Sequence, residues 1–212
     1  MKPAASRAAG EPAPQFGGGP PPPPAGSGTP VSNARVAIVM LLAAETMLFT
    51  GLIGAYIVLR GASADPWPPP GQPRLPLGIT WANTMVLLAS AWTMRRAAVA
   101  HTRKEPRTLR IAIIATACLG TAFLLIQGTE WMRLIFHGLT ASSSLYGATF
   151  YTLIGVHGVH VAAAVGWLGA VALRFRGDRF SMTRAAGVDV LAIYWYFVCA
   201  AWAVLFPLVY LF

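Results

Sequence analysis

Apolar residues in this chain come in five long runs separated by short polar or charged segments. The runs cover residues 35–59, 77–94, 109–135, 146–173 and 187–212. Each has at least the roughly 17 residues that a helix needs to cross about 30 Å of hydrocarbon. Only helices and closed barrels satisfy their backbone inside a bilayer, and the runs are too long for barrel strands. The pattern predicts an all-α fold, a polytopic membrane protein built as a bundle of five transmembrane helices.

Two segments lie outside the helical pattern. Residues 1–33 hold nine prolines and several glycines. Such a segment buries too little apolar area to offset its ordering entropy, so it is predicted to be a disordered tail. The connection 61–76 carries six prolines and is predicted to be non-helical. The domain organisation is therefore a tail, 1–33, followed by a five-helix domain, 34–212.

Composition excludes several classes of protein. Hydrophobic residues make up 56% of the chain and charged residues 11%, against about 25% charged in ordinary globular chains. This excludes a soluble enzyme and a secreted disulfide scaffold. The net charge of +9 is explained by membrane topology and by anionic lipid headgroups, without a nucleic-acid partner.

The basic residues predict an orientation. A cytoplasmic tail puts thirteen of the sixteen Lys and Arg residues inside, leaving Arg60, Arg74 and Arg133 outside. This split follows the positive-inside rule. The N-terminus is predicted to be cytoplasmic and the C-terminus periplasmic.

Five polar side chains inside the runs are candidates for function, because polar groups at membrane depth usually face protein or a cavity. They are Glu45 and His157 near the midplane, His160 one turn from His157, and Gln127 with Glu130 near the outer end of the third run. Glu45 has two interpretations. The favoured one is a hydrogen bond to a neighbouring helix or a lipid headgroup, and the other is proton handling.

The same residues argue against a cofactor site. A bis-histidine haem needs imidazoles on opposite sides of the iron, and two histidines three apart on one helix cannot provide them. The other histidines, His101 and His137, lie near loops on opposite sides, so no ligand set with suitable spacing is formed. The chain is predicted to bind no metal and to hold no catalytic residues.

Five sequence blocks carry a resemblance to a known family. They are 44–51 (AETMLFTG), 83–90 with its Asn-Thr, Leu-Leu and Ser, 119–131 with its Gln and Glu-Trp, 146–161 (YGATFYTLIGVHGVHV), and 194–198 (YWYFV) followed by Trp202. In this order they resemble subunit III of the haem-copper (cytochrome c or quinol) oxidases, in its short five-helix bacterial form. The family signature in the last block is Tyr194, Trp195, Tyr196 and Trp202. Here Tyr196 stands where the family usually has His, and Cys199 where it usually has Asp.

The resemblance implies a function as a non-catalytic subunit in a bacterial inner membrane. It implies phospholipid binding and support of proton uptake and stability in the catalytic subunit during oxygen reduction. It implies haem and copper in partner subunits, namely catalytic subunit I with subunit II and further respiratory subunits. Arg174 lies where family members place a basic residue near a lipid phosphate, although an ordinary snorkelling arginine explains it equally well.

Three other functions stay open at this point. The first is the same fold in a quinol oxidase or a nitric-oxide-reductase-associated complex. The second is a small transporter or proton channel acting alone, against which stands the lack of broken helices or inverted repeats around a midplane site. The third is an assembly or scaffold protein.

Overall fold

A computed structural model of the chain describes residues 33–64, 66–71, 75–174 and 187–211. Of the predicted disordered tail, only Asn33 falls within these ranges, as the first residue of a helix, and the rest lies outside the described residues. Several of the arginines that predict the orientation, among them Arg74, Arg176, Arg179 and Arg184, also lie outside them.

The predicted all-α class is confirmed, since the described part of the chain contains helices and no strand. The five helices are α1 (Asn33–Ala62), α2 (Leu77–Thr102), α3 (Pro106–Phe136), α4 (Leu145–Arg174) and α5 (Gly187–Phe206). A short π-helical segment, Pro207–Leu211, follows α5 directly.

Helix α2 extends eight residues beyond the predicted run 77–94. Arg95 and Arg96 end the apolar run, but they are good helix formers, and the buried Ala97 and Ala100 continue the packed face. The helix ends where Lys104 takes a left-handed φ of 58°. Pro106 then starts α3 at a position where a missing N–H costs no hydrogen bond.

Four of the five helices are long and apolar enough to cross a membrane, and α2 is not among them. The difference lies in the composition of α2, which carries Thr80, Asn83, Thr84, Ser90 and Thr93 within its apolar half. These side chains lower the mean hydropathy of α2, and all of them form hydrogen bonds with other protein groups.

Helices α2 and α3 run antiparallel. Thr93 of α2 bonds Thr116 of α3, and Asn83, ten residues earlier in α2, bonds the carbonyl of Phe123, which comes later in α3. Residue numbers therefore fall along α2 as they rise along α3. In the same way, α5 runs antiparallel to α2, because Trp195 pairs with Ser90 and Trp202 with Thr84.

The helices are buried to very different extents. In the most apolar stretch of α5, 56% of the residues are buried, against 11% in the corresponding stretch of α1. Helix α2 packs most extensively on α3, whereas α1 packs chiefly on α4 and α5. The centre of the bundle is therefore α5, and α1 lies at its periphery.

Two glycines allow tryptophan rings to pack against helix backbones. A Cβ atom on Gly120 of α3 would lie 2.5 Å from Cη2 of Trp195, which is completely buried. A Cβ atom on Gly158 of α4 would lie 2.8 Å from Cη2 of Trp131. The separation of α3 from α5, and of α4 from α3, is thus set by the thickness of an indole ring.

Pro207 changes the helix type at the end of α5. Proline has no N–H to donate to the preceding turn, and its ring crowds the carbonyl four residues earlier, so an α-helix cannot continue regularly through it. The π-helical segment that follows directs Val209 and Tyr210 into the bundle. The predicted fifth run, 187–212, did not include this change.

The contact between Gly120 and Trp195 predicts an asymmetry between two glycines of α3. Gly120→Ala should destabilise the chain, because overpacking costs about 1–3 kcal/mol while the gain in helix propensity is only about 0.5–1 kcal/mol. Gly128→Ala, on the same helix with no atom within 4 Å of the new Cβ, should leave stability unchanged or raise it. The measurement is the free energy of unfolding of both variants in one mixed-detergent system, and a Gly120→Ala variant as stable as Gly128→Ala would contradict the packing.

Candidate functional site

Glu45 and His160 form a hydrogen-bonded pair between α1 and α4. Oε2 of Glu45 lies 2.6 Å from Nε2 of His160, and the side chains are 18% and 14% exposed. His160 lies about 22 Å along α4 from Leu145, close to the middle of that helix. The structure therefore joins two of the five candidate polar residues about half-way along α4.

The second nitrogen of His160 limits how many protons the pair can hold. Nδ1 lies 2.7 Å from the carbonyl oxygen of Val156, which only accepts, so Nδ1 carries a hydrogen. One further proton lies between Nε2 and the Glu45 carboxyl, because two lone pairs would repel at 2.6 Å. The pair is either an imidazolium with a carboxylate or an imidazole with a carboxylic acid. In both forms its net charge is zero, which suits a site at membrane depth.

His157 lies close to this pair without joining its hydrogen bonds. It is 1% exposed, and within the described residues neither ring nitrogen has a hydrogen-bond partner. Its ring stacks on Trp202 with centroids 5.2 Å apart. Phe49 contacts both histidines, at 5.2 Å from His160 and 6.4 Å from His157.

Gln127 belongs to a second polar group on the far side of α5. Its Nε2 donates to the Tyr210 hydroxyl at 3.0 Å, and its Oε1 accepts from Asn83 Nδ2 at 3.4 Å. Asn83 also donates to the Phe123 carbonyl at 3.1 Å. This group joins α2, α3 and the π-helical segment, and it is not hydrogen-bonded to Glu45 or His160.

Glu130 pairs within its own helix. Its side chain is 5% exposed, and Oε1 accepts from Nη1 of Arg133 at 3.1 Å, while Arg133 itself is 65% exposed. A long arginine side chain can reach the interface while its guanidinium stays near a buried carboxylate. The sequence placed Gln127 and Glu130 on one face of α3, and both side chains are buried, but their partners differ.

The family signature divides between the interior and the surface. Trp195 is fully buried and Trp202 is 1% exposed, and Tyr194 is buried as well. The Trp195 indole donates to Ser90 at 3.2 Å, and the Trp202 indole donates to Thr84 at 3.0 Å. Tyr196 is 37% exposed and lies on the outer face.

Arg174 is the last residue of α4 and is exposed. The connection that follows it lies outside the described residues. Across the ranges that the structure describes, no group of three or more His, Cys, Asp or Glu side chains is placed to hold a metal ion.

One residue of this interior, Tyr210, was not singled out by sequence reasoning, and it is the partner of Gln127. The family resemblance includes Thr84 and Ser90, but their bonds to Trp202 and Trp195 were not predicted. The spacing of Trp195 and Trp202 gives a signal for these two hydroxyls. Indoles seven residues apart on one buried helix face need hydrogen-bond acceptors about two turns apart on a neighbouring helix. Tyr210 gave no such signal, since its direction depends on the π-helical segment.

The pair between Glu45 and His160 predicts a coupling that a double-mutant cycle measures. Glu45→Leu and His160→Leu should each lower the free energy of unfolding, and the double variant should lose less than the sum by about 1 kcal/mol, in the range found for interhelical bonds in membranes. Thr46→Val, which removes a hydroxyl bonded only to its own helix, is the control and should show no coupling to His160. Additive losses in Glu45 and His160 would contradict the pair.

Comparison with known proteins places this arrangement in a family. A model of the family described as cytochrome c oxidase subunit III matches residues 28–212. The chain is 33% identical over 175 residues to a probable cytochrome c oxidase subunit 3 of Mycobacterium leprae, covering 82% of this chain and 86% of the relative. It is 35% identical over 175 residues to a cytochrome c oxidase subunit 3 of Synechocystis, covering 82% and 73%. The resemblance found in the sequence is confirmed, and the chain belongs to the cytochrome c oxidase subunit III family.

Proposed function

We propose that this chain is the non-catalytic subunit III of a respiratory haem-copper terminal oxidase of the cytochrome c oxidase type. The observation that carries the proposal is the charge-neutral pair of Glu45 and His160, 2.6 Å apart about half-way along α4, in a member of this family. In this function the chain binds lipid and supports proton uptake and stability in the catalytic subunit while oxygen is reduced.

The described residues of the chain do not fit a haem or copper centre. His157 and His160 are three residues apart on α4, so their rings cannot flank one iron atom, and His160 already uses both nitrogens. The described residues contain no other group of ligands of suitable size. We therefore assign haem and copper to the partner subunits, and the catalytic function to subunit I.

The exposed surface of α1 supports a partner in the membrane. Large apolar side chains such as Val39, Met40, Met47 and Val58 are 61–77% exposed on this helix. In a bilayer such a surface contacts lipid or another helix bundle, because there is no water to drive it inward. We assign this side of the chain to subunit I and its lipids, with subunit II and further respiratory subunits elsewhere in the complex.

Lipid binding is supported by a groove near the pair of Glu45 and His160. An open groove of about 270 Å³ lies between α1 and α5, and its walls include Thr46, Phe49, Phe197 and Val204. Its lining is predominantly apolar, which suits an acyl chain. Because Phe49 lines this groove and its ring lies 5.2 Å from that of His160, a chain in the groove lies near the pair and limits the access of water to it.

Support of proton uptake follows from the chemistry of the pair. Its shared proton can lie on either partner without a change in net charge, and both side chains keep some exposed surface. The pair can pass this proton to a neighbouring subunit and stay neutral only when it takes up another proton in the same step, because loss of the proton alone would leave a carboxylate beside a neutral imidazole. His157, with no partner among the described residues, lies on the inner side of the same region.

The proposed topology has five spans, with the N-terminus cytoplasmic and the C-terminus periplasmic, in a bacterial inner membrane. We count α2 as a fifth span because it bonds to α3 and α5 along its length, from Asn83 to Thr93. Both of those neighbours are long and apolar enough to cross a membrane. Two reporters test the orientation. One fused after residue 212 should be periplasmic, and one inserted in the turn at 103–105 should be cytoplasmic.

Co-purification tests the subunit assignment directly. The full chain, tagged at its C-terminus and extracted in mild detergent, should carry haem bands in the reduced-minus-oxidised spectrum and consume oxygen. The electron donor that it accepts then identifies a cytochrome c or a quinol branch. Haem with nitric oxide turnover instead of oxygen consumption would favour the nitric-oxide-reductase relative, and a colourless single band in several detergents would overturn the proposal.

Glu45→Ala should affect durability more than the initial rate. In the assembled complex the initial rate of oxygen consumption should stay within about two-fold of wild type, or about 0.4 kcal/mol in activation free energy. The number of turnovers before inactivation should fall several-fold, because the pair and the lipid beside it are lost. Thr121→Val, which removes an exposed hydroxyl bonded within α3, is the control and should match wild type in both measurements. Immediate, near-complete loss of activity in a fully assembled complex would overturn this role for Glu45.

A further inference from the structure

A basic groove lies where α2 ends and α3 begins, on the opposite side of the bundle from α1. Its volume is about 300 Å³, and its walls carry the guanidinium groups of Arg95, Arg96 and Arg103 together with the carboxylate of Glu105. Three positive groups thus share one groove with a single negative group. The groove is distinct from the Glu45–His160 pair and from the groove between α1 and α5.

Two of the arginines, Arg96 and Arg103, lie two turns apart on one face at the C-terminal end of α2. Trp92, Arg96, Val99 and Arg103 are spaced four, three and four residues apart, which aligns them along α2. The Arg96 guanidinium lies over the Trp92 ring, 5.1 Å from its centroid, and this contact holds it at the groove. Within the described ranges, Arg95, Arg96 and Arg103 form no ion pair with a carboxylate.

A second groove continues from the first toward the middle of the bundle. It has a volume of about 180 Å³ and shares Arg96 and Thr108 with the basic groove. Its further walls include Ile111, Ala112 and Ala115, and its lining is mainly apolar. Ala115 lies about 10 Å further along α3 than Thr108, at 1.5 Å per residue.

We infer that the two grooves together form a binding site for an anionic phospholipid. The headgroup phosphate contacts the guanidiniums of α2, and the upper part of an acyl chain lies along Ile111 and Ala115. Guanidinium groups bind phosphate with charge-assisted hydrogen bonds, and basic pockets between membrane helices suit anionic headgroups. A free phosphate ion would use only the basic half, so the apolar continuation favours a lipid.

The experiment is a lipid titration of the full chain, followed by native mass spectrometry from a neutral detergent. The probe is phosphatidylglycerol, with phosphatidylcholine as the neutral comparison. The double variant Arg96→Gln/Arg103→Gln should bind phosphatidylglycerol about ten-fold more weakly than wild type, or about 1.4 kcal/mol. The control, Arg107→Gln/Arg110→Gln, removes the same charge from exposed positions of α3 outside both grooves. It should stay close to wild type.

Two further arms separate a lipid from a free anion. Ala115→Phe fills the apolar groove without changing the charge, and it should weaken the binding of phosphatidylglycerol. Inorganic phosphate in large excess should not displace the lipid, and this arm needs no substitution in α3. Displacement by inorganic phosphate would assign the groove to a free anion and overturn the lipid site.

Two results would overturn the inference as a whole. One is equal binding of phosphatidylglycerol by wild type and by the Arg96/Arg103 variant. The other is an equal loss in the Arg107/Arg110 control, which would show that net charge alone attracts the lipid. These binding measurements need no haem, oxygen consumption or partner subunit. Their outcome is therefore independent of the proposed function.

Discussion

The position of α5 at the centre of the bundle depends on two indole N–H groups that have no water to bond. Trp195 and Trp202 are buried, and each donates to a hydroxyl of α2, from Ser90 and Thr84. Each hydroxyl in turn donates to a carbonyl of its own helix. An indole N–H buried here without an acceptor would lose its hydrogen bonds to water and gain none in return, which would lower the stability of the fold. Rotation or sliding of α5 would break both bonds at once, so they fix its register.

The same constraint explains where the polar residues of the chain are placed. A helix that consisted only of apolar residues would pack against its neighbours without a defined depth, because lipid is as apolar as leucine. Pairs such as Thr93 with Thr116 and Asn83 with Gln127 fix the depth of α2 against α3. This is why α2 is the least apolar helix and yet the one that packs most extensively on α3.

The sequence predicts the helices well and their contacts only in part. Runs of apolar residues determine which segments become helices, because a backbone in hydrocarbon has no alternative partner. The importance of Glu45 and His160 could be inferred, since ionisable groups at such depth are rare. Their pairing could not be derived from spacing, because it depends on how α1 and α4 are rotated. The position of Tyr210 could not be predicted either, because it depends on the π-helical segment that begins at Pro207. The spacing of apolar residues along the fifth run does not reveal that segment.

Helix α1 is made first but packs chiefly on α4 and α5, and this order has a consequence for biosynthesis. The partner of Glu45 lies 115 residues further along the chain. At about 5–20 residues per second, a ribosome needs roughly 6–23 s to reach His160 after it has passed Glu45. During that interval the carboxyl is in the insertion machinery or in lipid without its imidazole, where the protonated acid is the less costly form. Completion of α1 in its final place therefore waits until α4 has been made.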